Sequence, residues 1–84
     1  MKPVRMYSTR SCPFCIMAKR LLQQKGVVFE DIAVDNAPDV RHRMAQESGA
    51  RTVPQIFIGE KHVGGCNELY ALESSGQLDA LLER

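Results

Sequence analysis

Cys12-Pro13-Phe14-Cys15 spaces two thiols by one helical turn. A proline is tolerated at the first position of a helix, where its missing N–H costs no hydrogen bond, so Pro13 at that position makes Cys12 the N-cap. The unpaired N–H groups and the dipole of a helix start favour a thiolate there. Cys15, three residues on, falls on the same helical face, within reach of a disulfide that opens and closes with little backbone movement. Reversible dithiol chemistry is the reading these four residues support.

Two other uses of the pair fit the chain less well. A disulfide staple would close a loop of roughly four residues and contribute only about 2 kcal/mol on the chain-entropy relation. The chain carries three cysteines, whereas a structural disulfide framework favours an even count and an oxidising compartment. Cys-x-x-Cys is also half of many zinc sites, but the partners here reduce to Cys66, His42 and His62, with no second close pair. No metal is expected.

The elements that hold the motif follow from periodicity. Val4 to Tyr7 alternates as a short strand, with Val4 and Met6 on one face and Arg5 and Tyr7 on the other. After the polar Thr9-Arg10-Ser11 loop, Pro13 to Lys25 reads as a helix whose inward stripe is Cys15, Ala18, Leu21 and Leu22, ended by Gly26. Val27 to Ile32 is β-branched and aromatic and predicts a second strand, parallel to the first through a right-handed crossover. Asp35-Asn36-Ala37-Pro38 signals a second helix, with Val40, Met44 and Ala45 inward, Arg41, His42 and Arg43 outward, and Gly49 at its end. Gln55 to Ile58 and Lys61 to Gly64 form an antiparallel hairpin across Gly59-Glu60. Asn67 can cap a third helix carrying Leu69 and Leu72, which Leu78 to Leu82 extends or follows. Met6, Met17 and Met44 read as core filler; His42, His62 and Lys19 read as surface residues.

This order, β-α-β-α-β-β-α, predicts an α/β thioredoxin-like fold: a four-stranded mixed sheet with helices on both faces, in one domain over residues 1–84. At 84 residues, 44% of them hydrophobic and 25% charged, the chain has globular values. A net charge of +1 gives no general attraction to nucleic acid or anionic membrane. Met1-Lys2-Pro3-Val4-Arg5 does not read as a signal peptide, and the default expectation is a cytoplasmic monomer.

Three stretches together give a resemblance. Cys12-Pro13-Phe14-Cys15, Thr52-Val53-Pro54-Gln55-Ile56-Phe57-Ile58-Gly59 and Gly64-Gly65-Cys66-Asn67-Glu68-Leu69 stand in the order and spacing of the glutaredoxin family. The chain resembles a dithiol glutaredoxin, of the bacterial glutaredoxin 3 type, along nearly its whole length. Propensity alone favours a trans bond at Val53-Pro54, since only about 5–6% of X–Pro bonds are cis. The resemblance implies a cis bond beside the dithiol, with the Val53 backbone presented to substrate.

The resemblance further implies a glutathione-dependent oxidoreductase, with glutathione as co-substrate and with glutathionylated or disulfide-containing proteins, ribonucleotide reductase among them, as partners. Cys12 would be the nucleophile and Cys15 the resolving thiol. Val53, with Thr52 and Pro54 beside it, would pair with the cysteinyl part of glutathione. Cys66 and Asn67 would offer helix-start N–H groups to the γ-glutamyl carboxylate, and Arg41 would meet the glycyl carboxylate. Thr9 stands where relatives often have lysine, and Arg10 next to it replaces that charge. Phe14 keeps the apolar surface of a frequent tyrosine without its hydroxyl, and Asn67 replaces a frequent aspartate or serine. The alternatives are a reductant fed by thioredoxin reductase and a carrier of a [2Fe–2S] cluster, a role that in this family belongs mainly to single-cysteine sites.

Overall fold

The computed structural model describes residues 1–84. Its elements run β1 (Val4–Ser8), α1 (Pro13–Gln24), β2 (Phe29–Ala33), α2 (Pro38–Ser48), β3 (Gln55–Ile58), β4 (Lys61–Gly64), α3 (Cys66–Ser74) and α4 (Leu78–Leu82). The sheet has the order β2-β1-β3-β4. β1 pairs parallel to β2, and the other two pairings are antiparallel. The strand–helix–strand unit therefore closes as its spacing demands, since parallel neighbours need a crossover.

Alternation along the two central strands divides the interior. Val4 and Met6 of β1 and Ile56 and Ile58 of β3 turn into a larger core with Ala18, Leu21 and Leu22 of α1 and Leu69 of α3. Tyr7 and Phe57 turn the other way, into a smaller core with Val34 and Met44. Helices cover both faces, so β3 is buried at every position from Gln55 to Ile58. On the smaller side the buried Tyr7 hydroxyl donates to Glu47 at 2.5 Å. That bond holds the Glu47 carboxyl below the usual carboxylate range, while burial pushes the Tyr7 hydroxyl up. The Arg5 guanidinium lies 4.7 Å over the Phe57 ring and 3.4 Å from Glu47.

Several boundaries differ from the sequence reading, each for a physical reason. β2 begins at Phe29, because Val27 is still spent on closing α1: Gly26 N–H donates to Gln23 and Val27 N–H to Leu22, the paired bonds of a Schellman ending. Val28 is left 87% exposed. The same ending recurs after α3, where Gly76 takes φ 76 and Gln77 N–H returns to the Leu72 carbonyl. The chain turns there, so Leu78–Leu82 is a separate fourth helix rather than an extension, and it buries Leu78 and Leu82 in the larger core. Neither predicted side-chain cap forms. α2 starts at Ala37 with no side-chain cap, and α3 starts at Gly65, which puts Asn67 inside the first turn. Met6 and Met44 are fully buried, but Met17 is 43% exposed on the outer face of α1.

Candidate active site

Cys12 is the N-cap of α1, in extended backbone with Pro13 at the first helical position, and its sulfur accepts the Cys15 N–H at 3.1 Å. An N-cap side chain reaches the N–H three residues on, which is why Cys-x-x-Cys at a helix start aims the second residue's amide at the first sulfur. The Cys12 thiol also lies 3.7 Å from the Val53 carbonyl oxygen, to which it donates. Cys12 is partly exposed, whereas Cys15 is fully buried, and no disulfide joins them. Burial, followed by the bond from Cys12, pushes the Cys15 thiol up to about 12. Cys15 is therefore a neutral thiol throughout the physiological range.

The loop before Cys12 is pinned by the neighbouring loop after β2. Arg10 N–H donates to the Asp35 carboxylate at 3.1 and 3.3 Å. Asp35, expected to begin α2, is thus used to hold the approach to the dithiol. Beneath it, the Ser8 hydroxyl donates to Asp31 at 2.5 Å, and Lys19 lies 2.7 Å from the other oxygen of the same carboxylate. Lys19 is an ion-paired residue rather than a freely solvated one.

A groove of about 170 Å³ runs beside the dithiol, and six of the anticipated residues line it: Phe14, Thr52, Val53, Pro54, Cys66 and Asn67. The Val53-Pro54 bond is cis. The Val53 N–H and C=O take no part in backbone–backbone hydrogen bonds, and the C=O is met by the Cys12 thiol, so this segment is an edge without a strand partner. On the opposite wall, α3 starts at Cys66, leaving the Cys66 and Asn67 N–H groups without intrahelical partners. Cys66 itself is buried; burial, the nearby Cys12 charge and Glu68 push its thiol up.

Two anticipated residues lie elsewhere. Arg10 does not line the groove, and its side chain is exposed. Arg41 lines a separate depression of about 270 Å³ with Pro38, His42, Ala45 and Arg51, and donates to the Arg51 carbonyl at 3.2 Å. That bond ties α2 to the residue preceding Thr52.

Three further residues line the groove: Gln55, Gly65 and Glu68. Glu68 accepts the Gly65 N–H at 2.7 Å, and its position three residues after the cap was a readable signal. Gly64 has φ 117, and a Cβ there would fall 2.9 Å from Glu68 Oε1. A Cβ on Gly65 would fall 3.3 Å from Glu68 Oε1 and 3.4 Å from the Pro54 carbonyl, so Gly64 leaves room for the Glu68 side chain while Gly65 sits against both Glu68 and the Pro54 wall. Gln55 gave no signal beyond being polar at the start of an apolar strand. Its amide donates to the Thr52 carbonyl at 2.9 Å and the Thr52 hydroxyl at 3.3 Å, and its oxygen lies 2.7 Å from His62 Nε2.

An unequal thiol pair at a helix start, facing a cis-proline edge on this sheet, defines a thioredoxin-like dithiol protein, and comparison with known proteins narrows the class. The glutaredoxin family model matches residues 4–63. A glutaredoxin of Pseudomonas aeruginosa is 58% identical over 82 residues, covering 98% of both chains. Glutaredoxin 3 of Escherichia coli K12 is 47% identical over 83 residues, covering 99% of this chain and 100% of its own. Among solved structures, the glutaredoxin of Brucella melitensis superposes with a TM-score of 0.86 at 50% identity, covering 98% of this chain and 89% of its own. The buckwheat glutaredoxin–glutathione complex gives 0.88 at 33% identity, covering 98% and 77%. The chain belongs to the glutaredoxin family and is a thiol–disulfide oxidoreductase.

Proposed function

We propose that this protein is a glutathione:disulfide oxidoreductase that reduces protein–glutathione mixed disulfides through Cys12 alone and protein disulfides through Cys12 and Cys15. Cys12, as thiolate, attacks the glutathionyl sulfur; the protein thiolate leaves and takes up a proton, and Cys12 carries the glutathione. A second glutathione thiolate attacks that sulfur, releasing oxidised glutathione and regenerating Cys12. With a protein disulfide, Cys12 forms a mixed disulfide with one sulfur. Cys15 then loses its proton and attacks the Cys12 sulfur, closing the internal bond and releasing the reduced protein. Two glutathiones reopen it.

The observation that carries this reading is the open Val53 edge 3.7 Å from the Cys12 sulfur, facing unpaired N–H groups at the start of α3. An extended tripeptide offers a backbone to pair with the edge and a carboxylate for the helix start. The buckwheat relative, solved with glutathione, supports the same ligand. In this reading Thr52, Val53 and Pro54 bind the cysteinyl part, Cys66 and Asn67 the γ-glutamyl carboxylate, and Phe14 forms the apolar wall. Arg41, anchored to the Arg51 carbonyl outside the groove, reaches the glycyl carboxylate only by releasing that bond, and Arg10 adds positive potential. The protein acts as a monomer in the cytoplasm, on glutathionylated proteins and on disulfide enzymes of the ribonucleotide reductase kind.

Coupled assays test this directly. Turnover of a glutathionylated peptide is expected with glutathione and glutathione reductase; turnover only with thioredoxin reductase overturns the reading.

A further inference from the structure

We infer that His62 is a positioning residue for the glutathione groove, acting through Gln55 on Thr52. The inference deepens the function proposed above and rests on it.

The direction of the hydrogen bonds is fixed by chemistry. The Thr52 carbonyl can only accept, so the Gln55 atom 2.9 Å from it is the amide nitrogen. The Gln55 oxygen therefore points the other way and can only accept, so the hydrogen of the 2.7 Å bond sits on His62 Nε2. Both the neutral Nε2–H tautomer and the imidazolium supply that hydrogen, so the contact survives protonation of the ring.

The fold places His62 for this role. Gln55 and Phe57 share a face of β3, and His62 on β4 pairs with Phe57 and reaches Gln55 diagonally. The irregularity between Ile56 and Phe57 shifts the register from Ile56–Gly64 to Phe57–His62. The Phe57 ring, 3% exposed as a residue, lies 4.9 Å from the imidazole at an interplanar angle of 37° and limits its orientation. Gln55 is only 5% exposed. Without His62 the Gln55 oxygen loses its partner in a part-buried position, and nothing from β4 then fixes the amide plane that aims the nitrogen at Thr52. The carbonyl and hydroxyl of Thr52, one residue before Val53, are then held less firmly by β3. His62 lies outside the residues lining the groove, so its effect on glutathione is indirect.

The test compares wild type, His62→Leu and His62→Gln. The leucine removes the donor, and the glutamine keeps an amide N–H in its place. His62→Leu is expected to raise KM for a glutathionylated peptide about fivefold with kcat within about twofold. His62→Gln is expected to restore wild-type KM. Binding of S-methylglutathione, followed by NMR at the Thr52 amide, should weaken in parallel in the leucine variant alone. Insulin reduction with dithiothreitol as the reductant, which needs no glutathione, should be equal in all three proteins. Gln55→Glu keeps an acceptor for His62 but has no donor for Thr52, and should reproduce the KM increase even where His62→Leu fails to fold. A leucine variant with wild-type KM, a glutamine variant without rescue, or an equal loss in the insulin reaction overturns the inference. Wild-type protein that does not bind S-methylglutathione overturns the glutathione reading, and this inference with it.

Discussion

Two helices in this protein begin with a cysteine, and the two starts are wired differently. At α1 the cysteine is the N-cap: its sulfur accepts the Cys15 N–H at 3.1 Å and stays partly exposed. At α3 the cap is Gly65 and the cysteine is one position further in, so Cys66 is 5% exposed as a residue, within the larger core. The first start gives its N–H to its own sulfur. The second, capped by a residue without a side chain, leaves its first N–H groups free for a ligand. A shift of one residue relative to the cap separates a reactive thiol from a buried one, because an N-cap side chain faces the orphan amides while the next points along the helix flank.

The widest separation between the two starts is expected in thiol substitutions. Cys12→Ser should reduce deglutathionylation to the uncatalysed background, Cys15→Ser should retain it within about threefold, and Cys66→Ser should leave it within about twofold. Steady-state turnover of a glutathionylated peptide measures all three. Comparable losses at Cys12 and Cys66 would erase the distinction between the helix starts.

The α3 start can be broken by itself at Gly64. Gly64→Ala puts a Cβ 2.9 Å from Glu68 Oε1 in backbone at φ 117, which should cost about 1–3 kcal/mol. In a domain of this size that is a fall of roughly 4–8 °C in Tm for each kcal/mol. Thermal melting and S-methylglutathione titration should both register it, because Glu68 must move. An unchanged Tm would mean that the glycine is not needed for the close approach.

The alkaline effect appears only above about pH 9. Cys15 is raised from 9.0 to about 12, and Cys66 is raised in the same direction. The folded protein therefore keeps protons that the unfolded chain gives up, so this stability is complete below pH about 9 and is lost as pH climbs toward 12. Cys15 contributes a slope approaching about 1.4 kcal/mol per pH unit, and Cys66 adds in the same direction. Urea denaturation of the reduced protein between pH 8 and 11 should show the decline, and Cys15→Ala should flatten it. At pH 8 iodoacetamide should modify Cys12 and spare Cys15 and Cys66; fast labelling of either buried thiol would contradict the burial on which the comparison rests.

Much of the site could be read from the chain because its signals are local. The spacing of Cys12 and Cys15 behind Pro13 sets a helix cap whatever surrounds it, and six residues anticipated from the three motifs line one groove. Where the reading departed from the structure, a residue found a distant partner. Asp35 and Asn67 have the chemistry of caps, but Asp35 binds Arg10 in the loop after the neighbouring strand β1, and Asn67 falls after the cap Gly65. Lys19, which a helical pattern leaves solvated, is held by Asp31, whereas His62 is exposed as its strand pattern predicts and adds a bond to Gln55. Arg41, readable as a cation on a solvated face, is anchored to the Arg51 carbonyl outside the groove.

By itself the sequence determined the dithiol at a helix start, the order of strands and helices up to α3, and the family to which they belong. These rest on caps, turns and periodicities that act over a few residues. Only the tertiary structure decided that Cys66 is buried, that the Val53 backbone has no strand partner, and that His62 of β4 reaches Thr52 through Gln55. Burial and hydrogen-bond partners at those positions come from residues far apart in the chain. Their desolvation depends on what packs above them, which no local spacing records.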